Sequence, residues 1–444
     1  MNPYLQGALG VAEFLDTQKQ QDQDGLSWSR VPGGVPVHTL YHGTAGVVLF
    51  YLELHRATGE DDHLQTALAA GNTVLAYVSR KLASGDTVTV GLYSGWPGYV
   101  FVLNELAKAT GEQKFRDAAI AVHQQIIAQS SKLGVGIGWI EDLPFSDITG
   151  ITGKGEVVDL SIGAAGAGVM ELYAFREGLT QTLELAKLVG DRLLEIAEHV
   201  DDGLRWLMMA EMPFPFTAPN FAHGPAGTAY FLADLYSQTG DHRYLAAAKA
   251  GAAYVMSRST EQSDGLLVCH NEEQQPPSLF YLGVCHGPPG TGRLMYLLYL
   301  LTNEEQYLRW LKRNFDGLVS TGAPEQRSDG LWQNLGQCCG DAGIGDYSLF
   351  LYDATGDESY QTYAMRIGDY LLQHAESGRG ISWGTAEHRS RPGFVESQTG
   401  YMQGAAGIGS FLLHLATVLD GSPSKIVLPE TPFYRKQESS HGPD

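Results

Sequence analysis

A chain of 444 residues with 43% hydrophobic and 18% charged side chains can bury a large core, either as one big toroid or barrel or as two or three ordinary domains. Its formal charge of −21 argues against nucleic acid and anionic membrane as partners, since both need a basic face. No apolar run approaches the ~18 residues of a membrane span, no signal pattern opens the chain, and four cysteines, two of them adjacent, are not a disulfide framework. The composition points to a reducing, cytoplasmic setting with no membrane insertion.

Taken from its start, the chain shows Gly-x-x-Gly followed at once by an apolar segment, seven times over. The pairs are Gly43/Gly46, Gly95/Gly98, Gly163/Gly166, Gly224/Gly227, Gly287/Gly290, Gly340/Gly343 and Gly404/Gly407, with first glycines 52 to 68 residues apart. Self-similarity at such a period marks a repeat architecture. The segments behind the pairs, such as Val47–Leu54, Tyr99–Leu106 and Thr228–Leu235, read as helices that are apolar nearly all round, and such helices are buried. Turns follow at Thr58-Gly-Glu, Thr110-Gly-Glu, Thr239-Gly-Asp and Thr355-Gly-Asp. There glycine ends one helix and the acidic residue favours the start of the next.

The second helix of each unit is amphipathic, as in His242–Met256. An extended piece with Gly and Trp then leads to the next pair; it carries Trp28, Trp139, Trp206, Trp332 and Trp383, which recur with the repeat and read mostly as structural. Buried inner helices need a ring of outer helices around them. The expected fold is therefore all-α, an (α/α)7 toroid with the Gly-x-x-Gly turns crowded at one end. An open solenoid would show a polar concave face on its inner helices. The domain should span 1–420, with 421–444 a Ser/Pro/Lys-rich, flexible tail.

Chemistry concentrates between Leu282-Gly-Val-Cys-His-Gly-Pro-Pro-Gly290 and Asn334-Leu-Gly-Gln-Cys-Cys-Gly-Asp-Ala-Gly343. Three of the four cysteines, Cys285, Cys338 and Cys339, sit just before glycine pairs. Zinc accepts thiolates readily, and a catalytic site uses three protein ligands and one open position. Two plainer readings compete. A Cys338–Cys339 disulfide would be strained, because adjacent Cα atoms lie ~3.8 Å apart against a usual minimum of ~4.4 Å. The other is a set of small buried thiols without chemistry.

Seven glycine-pair hairpins with cysteines in the fifth and sixth turns resemble the lanthionine synthetase C-like family, over about residues 2–420. The resemblance implies a toroid around a catalytic Zn2+ that closes (methyl)lanthionine thioether rings by adding peptide cysteine thiols to dehydroalanine or dehydrobutyrine. By the same resemblance the metal ligands are Cys285, Cys338 and Cys339, with Cys338-Cys339-Gly340 in place of the commoner Cys-His-Gly. The proton-handling histidine maps to His223, in Phe221-Ala-His-Gly-Pro-Ala-Gly227, and its aspartate to Asp159. One departure stands out, since Tyr281 lies where some cyclases of the family carry arginine.

An enolate formed by addition at Cβ must be protonated at Cα, and imidazole suits that step near neutrality. Against this, His223 could be a histidine bonded to the turn, and Asp159 an N-cap or turn residue. His286 is a rival ligand beside Cys285, His42 fills the matching turn position of the first repeat, and Cys269-His270 lacks a following glycine pair and reads as a plain thiol. The partner implied is a dehydrated precursor peptide with its leader; with no dehydratase region in the sequence, a separate protein would make the dehydro residues. Alternatives are glutathione addition to dehydroamino acids in proteins, an (α/α)-barrel carbohydrate enzyme using paired carboxylates, and a catalytically silent scaffold.

Overall fold

The computed structural model of the chain describes residues 2–21, 23–142, 152–210, 217–273, 279–327, 334–386 and 394–433. Inner helices follow each glycine pair: α2 (Thr44–Thr58), α4 (Trp96–Thr110), α6 (Ala164–Arg176), α8 (Pro225–Thr239), α10 (Pro288–Thr302), α12 (Asp341–Thr355) and α14 (Ala405–Leu419). Their first eleven residues are buried without interruption in every repeat. Outer helices are α3 (Asp61–Ser84), α5 (Gln113–Ala128), α7 (Glu184–Glu195), α9 (His242–Ser257), α11 (Glu305–Ser320) and α13 (Glu358–Gln373). Among the described residues no outer helix follows the seventh inner one. Helix α1 (Pro3–Gln18) packs on α14 instead, so the start of the chain completes the last repeat.

Each inner helix touches the next, and α14 touches α2. The ring is closed, which rules out the open solenoid. Among the described residues no helix is long and apolar enough to cross a membrane.

The turns are specified locally. Gly59, Gly111, Gly240 and Gly356 cap inner helices with φ near +70°, a region costly for residues with a Cβ. The paired glycines serve a different need, close approach. A Cβ on Gly340 would overlap the carbonyl oxygen of Asn334, and one on Gly343 that of Gln337. The extended Gly/Trp pieces prove to be short antiparallel β-hairpins, such as Ser131–Leu133 with Gly136–Gly138 and Glu376–Gly378 with Gly380–Ser382. Their tryptophans do one job. The indole N–H groups of Trp28, Trp139, Trp206 and Trp383 donate to Leu15 (2.8 Å), Ile126 (3.0 Å), Leu193 (2.7 Å) and Leu371 (2.8 Å). These carbonyls lie in the last turns of outer helices, where helical partners run out. Trp332 lies outside the described residues.

Two features go beyond the repeat. The first is a ring of backbone hydrogen bonds joining all seven glycine turns. Tyr41 N–H donates to Tyr93 O (3.0 Å), Leu92 to Ser161 (2.8 Å), Ser161 to Ala222 (3.0 Å) and Ala222 to Cys285 (2.9 Å). Cys285 donates to Cys338 (3.2 Å), Cys338 to Met402 (2.8 Å), and Met402 closes the circle on Tyr41 (3.1 Å). The second corrects the expected tail. The chain beyond Leu419 folds back into the toroid, burying Ile426, Glu430, Thr431 and Phe433. Phe433 stacks on Tyr296 and Phe350 of the inner helices. Residues 434–444 lie outside the described residues.

Candidate metal centre and proton-transfer pair

The backbone ring places side chains. Cys285 and Cys338 are members of it, two residues before their first glycines. The residues one before the first glycines are His42, Ser94, Ile162, His223, His286, Cys339 and Gln403. Every residue expected at the site except Asp159 stands at one of these two positions. Asp159 is four before its glycine and turns back to join them.

The three cysteines converge, with Sγ atoms within 4.8 Å of one another. Cys339 Sγ is 3.7 Å from Cys285 Sγ. Cys285 and Cys338 are joined as a disulfide, with Cα atoms 5.9 Å apart. That pairing is not the Cys338–Cys339 one weighed from sequence, and it leaves Cys339 and Cys269 outside any disulfide among the described residues. Thiolates, not disulfides, bind metals, so the metal-competent state is the reduced one. The donor set then fits zinc. Two sulfurs ~2.3 Å from a tetrahedral ion lie ~3.8 Å apart, and the Cys285–Cys339 separation matches that edge. Burial pushes the Cys269 thiol up to about 11, in keeping with an inert thiol.

One turn away stands the His223–Asp159 pair. His223 Nδ1 is 2.7 Å from Asp159 Oδ2, with the imidazole 16% exposed and the carboxylate 1%. The other oxygen, Oδ1, accepts the Ile162 N–H at 2.8 Å. One carboxylate oxygen of Asp159 thus bonds the turn and the other faces the histidine. Asn220 plays a parallel part in the next turn. Its Oδ1 accepts the His223 N–H at 2.9 Å, and its Nδ2 lies 2.7 Å from His286 Nδ1. With the oxygen so engaged, the amide donates to Nδ1 of His286, which places the ring hydrogen on Nε2. Burial, with His270 and His223 nearby, holds His286 well below the ordinary imidazole range. His286 does not join the converging cysteine sulfurs; its ring lies 5.6 Å from that of His223.

Tyr281, the departure noted in the sequence, packs edge-on against His270 (4.3 Å). His270 in turn meets His286 (4.8 Å), so the Cys269-His270 motif supplies a wall of the site through its histidine. His42 packs against Tyr41 at 4.5 Å. Gln403 is a residue the sequence reading missed. Its Nε2 donates to Tyr41 Oη (3.0 Å) and to Cys339 Sγ (3.5 Å). Aligning the residue before each first glycine would have found it.

The family model described as lanthionine synthetase C-like protein matches residues 37–423. The chain belongs to the lanthionine synthetase C-like family. Among solved structures it is similar to nisin cyclase, at 14% identity with 96% of each chain covered and a TM-score of 0.64. It is also similar to the Lin0763 protein from Listeria innocua, at 13% identity, 94% and 97% coverage and a TM-score of 0.47. A third is cellobiose 2-epimerase from Bacillus thermoamylovorans, at 12% identity, 93% and 98% coverage and a TM-score of 0.47. No curated protein sequence matches the chain.

Proposed function

We propose that this family member is a zinc-dependent cyclase that adds cysteine thiols of a dehydrated precursor peptide to dehydroalanine and dehydrobutyrine, forming lanthionine and methyllanthionine. The observation that carries the reading is the convergence of three cysteine sulfurs, within 4.8 Å of one another, one turn from an imidazole held by a buried carboxylate. Cys285, Cys338 and Cys339 in reduced form would hold the zinc. Bound there, zinc supplies Lewis acidity that keeps a substrate thiol deprotonated at neutral pH. Three protein thiolates leave that charge poorly neutralised, which favours nucleophilicity in the sulfur that attacks.

Addition forms a C–S bond at Cβ and sends the alkene electrons to Cα and its carbonyl. The thiol has lost one proton and Cα must gain one. His223 would make that transfer: Asp159 engages Nδ1, which leaves Nε2 as the nitrogen to exchange the proton. Asn220 fixes the backbone of His223 and the orientation of His286 together. The implied partners are a precursor peptide with its leader and a separate dehydrating protein. The family of the chain and its structural likeness to nisin cyclase support the reading.

The test is mass spectrometry of a dehydrated, cysteine-containing peptide incubated with reduced, zinc-replete protein and then treated with a thiol alkylator. Ring closure leaves peptide mass unchanged and removes alkylatable thiols. Thiols that stay fully alkylatable beside protein carrying one zinc per chain would end the proposal.

A further inference from the structure

Beyond α14 the chain turns at Gly421 and enters the toroid. Lys425 bonds Asp346 Oδ2 on α12 and Ser410 Oγ on α14, both at 2.7 Å. Ile426 N–H donates to Glu53 Oε1 on α2 at 2.9 Å. Glu430 accepts from Tyr93 Oη at the second turn, and Phe433 packs on Tyr296, Tyr347 and Phe350 of α10 and α12. Partners drawn from repeats one, two, five, six and seven place the segment on the axis of the ring.

Charge specifies that placement. Two of the buried carboxylates, Glu53 and Asp346, each under 4% exposed, meet the segment, and burying them without a cation would be costly. Lys425, 5% exposed, brings that cation. Burial alone would raise Asp346, but Lys425 and His414 more than offset it and hold the carboxyl at about 2. Burial alone would lower Lys425, yet Asp346, Tyr401 and Glu53 hold it well above its ordinary value.

The network runs on to the metal turns by two routes. Asp346 Oδ2 accepts from Gln337 Nε2 at 2.7 Å, and that amide also donates to Gly407 O at 2.9 Å. Gln337 directly precedes Cys338. On the other side, Ser410 Oγ bonds Tyr401 Oη at 3.0 Å. Tyr401 directly precedes Met402, whose carbonyl accepts the Cys338 N–H at 2.8 Å. Next comes Gln403, which donates to Cys339.

We propose that Lys425 is a positioning residue for the metal ligands, and that the C-terminal segment is an axial strut that fixes the Cys338–Cys339 turn from beneath. This rests on the reading of Cys285, Cys338 and Cys339 as ligands.

The test compares full-length wild type, Lys425→Met, Lys425→Arg and Trp139→Phe, the last a destabilising change in a remote repeat. Two readouts are taken: zinc affinity by competition with a chromophoric chelator, and the rate at which a disulfide reagent modifies the thiols of reduced, metal-free protein. Outer partners of metal ligands typically change affinity ~10–100-fold. Lys425→Met should weaken zinc within that range and speed modification of Cys338, Lys425→Arg should recover part of both, and Trp139→Phe should lower Tm while moving neither. A Lys425→Met protein with lowered Tm, wild-type affinity and wild-type thiol rates would reduce Lys425 to an ordinary structural residue. Should Lys425→Met fail to fold, Gln337→Met combined with Tyr401→Phe cuts both routes while keeping the Lys425–Asp346 pair, and wild-type values in that protein overturn the strut. If wild type itself binds no zinc, the ligand reading fails, and the thiol rates alone decide the strut.

Discussion

The two oxygens of Asp159 make its role separable by substitution. Oδ1 accepts the Ile162 N–H at 2.8 Å, and Oδ2 faces His223 Nδ1 at 2.7 Å. Asparagine can keep the first bond through its carbonyl, but its amide cannot accept from Nδ1–H. Alanine loses both and leaves a turn N–H without its acceptor. Hydrogen bonds to charged groups contribute ~1.5–3 kcal/mol, and tenfold in rate is ~1.36 kcal/mol. Asp159→Asn should therefore slow ring closure about 10- to 150-fold with Tm nearly unchanged. His223→Ala should cost more, within the ~10²–10⁴-fold typical of a general acid–base group. Asp159→Ala should add ~1–3 kcal/mol of destabilisation from the unsatisfied amide. The assay is single-turnover cyclisation with zinc-replete protein, read as loss of alkylatable thiol, beside thermal unfolding of the same samples. A wild-type rate in Asp159→Asn together with loss of stability in Asp159→Ala would make the carboxylate a turn residue only, and the account of His223 would lose its partner.

Cys285→Ala, Cys338→Ala and Cys339→Ala should each lose stoichiometric zinc by elemental analysis, whereas His286→Ala, whose ring lies outside the converging ligand set, should retain it; the reverse pattern would reassign the centre. Trp383→Phe removes the 2.8 Å bond to the Leu371 carbonyl and opens a small cavity, so denaturant unfolding should show a loss of ~2–4 kcal/mol; a loss under half of that would mean the helix end is satisfied another way. Burial raises the Glu141 carboxyl from 4.5 to about 7. Its folded value lies above its unfolded one, so the native state binds the extra proton and this group's contribution is lost as pH rises from 4.5 through 7. Glu141→Gln keeps the acceptor for the Val90 N–H and should flatten the urea midpoint across that window; parallel wild-type and variant curves would refute the shift.

How much of this was legible in the sequence follows from what is local. Seven glycine pairs, each backed by a helix without a polar face, state the toroid because both signals lie within one stretch of chain. The convergence of Cys285, Cys338 and Cys339 was legible for the same reason, since each precedes a glycine that pins it to the ring. The role of α1 was not, because an amphipathic helix does not say which repeat it will complete. Residues 421–433 read as a tail because their Ser/Pro content carries no period. They are drawn inside by charges far off in the sequence, Lys425 by Asp346 and Ile426 N–H by Glu53. The Cys285–Cys338 pairing and the amide of Gln403 at Cys339 are likewise contacts between repeats, visible only once the turns are set side by side.

The backbone ring explains why one fold can hold such a site. Its seven hydrogen bonds use main-chain groups only, so the geometry of the turns does not depend on the side chains they carry. The position before each first glycine is therefore open to variation, and here it holds three histidines, one cysteine, one glutamine, one serine and one isoleucine. The candidate site occupies the arc from His223 through His286 and Cys339 to Gln403. The strut lies beneath that arc, with Lys425 anchored to repeats six and seven, and Glu430 reaches across to repeat two. A rigid ring alone would fix where Cys338 begins; the axial charges fix where its side chain and that of Cys339 can go. Metal affinity in this chain should thus depend on residues that never touch the metal and that lie more than eighty positions away in sequence, which local motifs could not have disclosed.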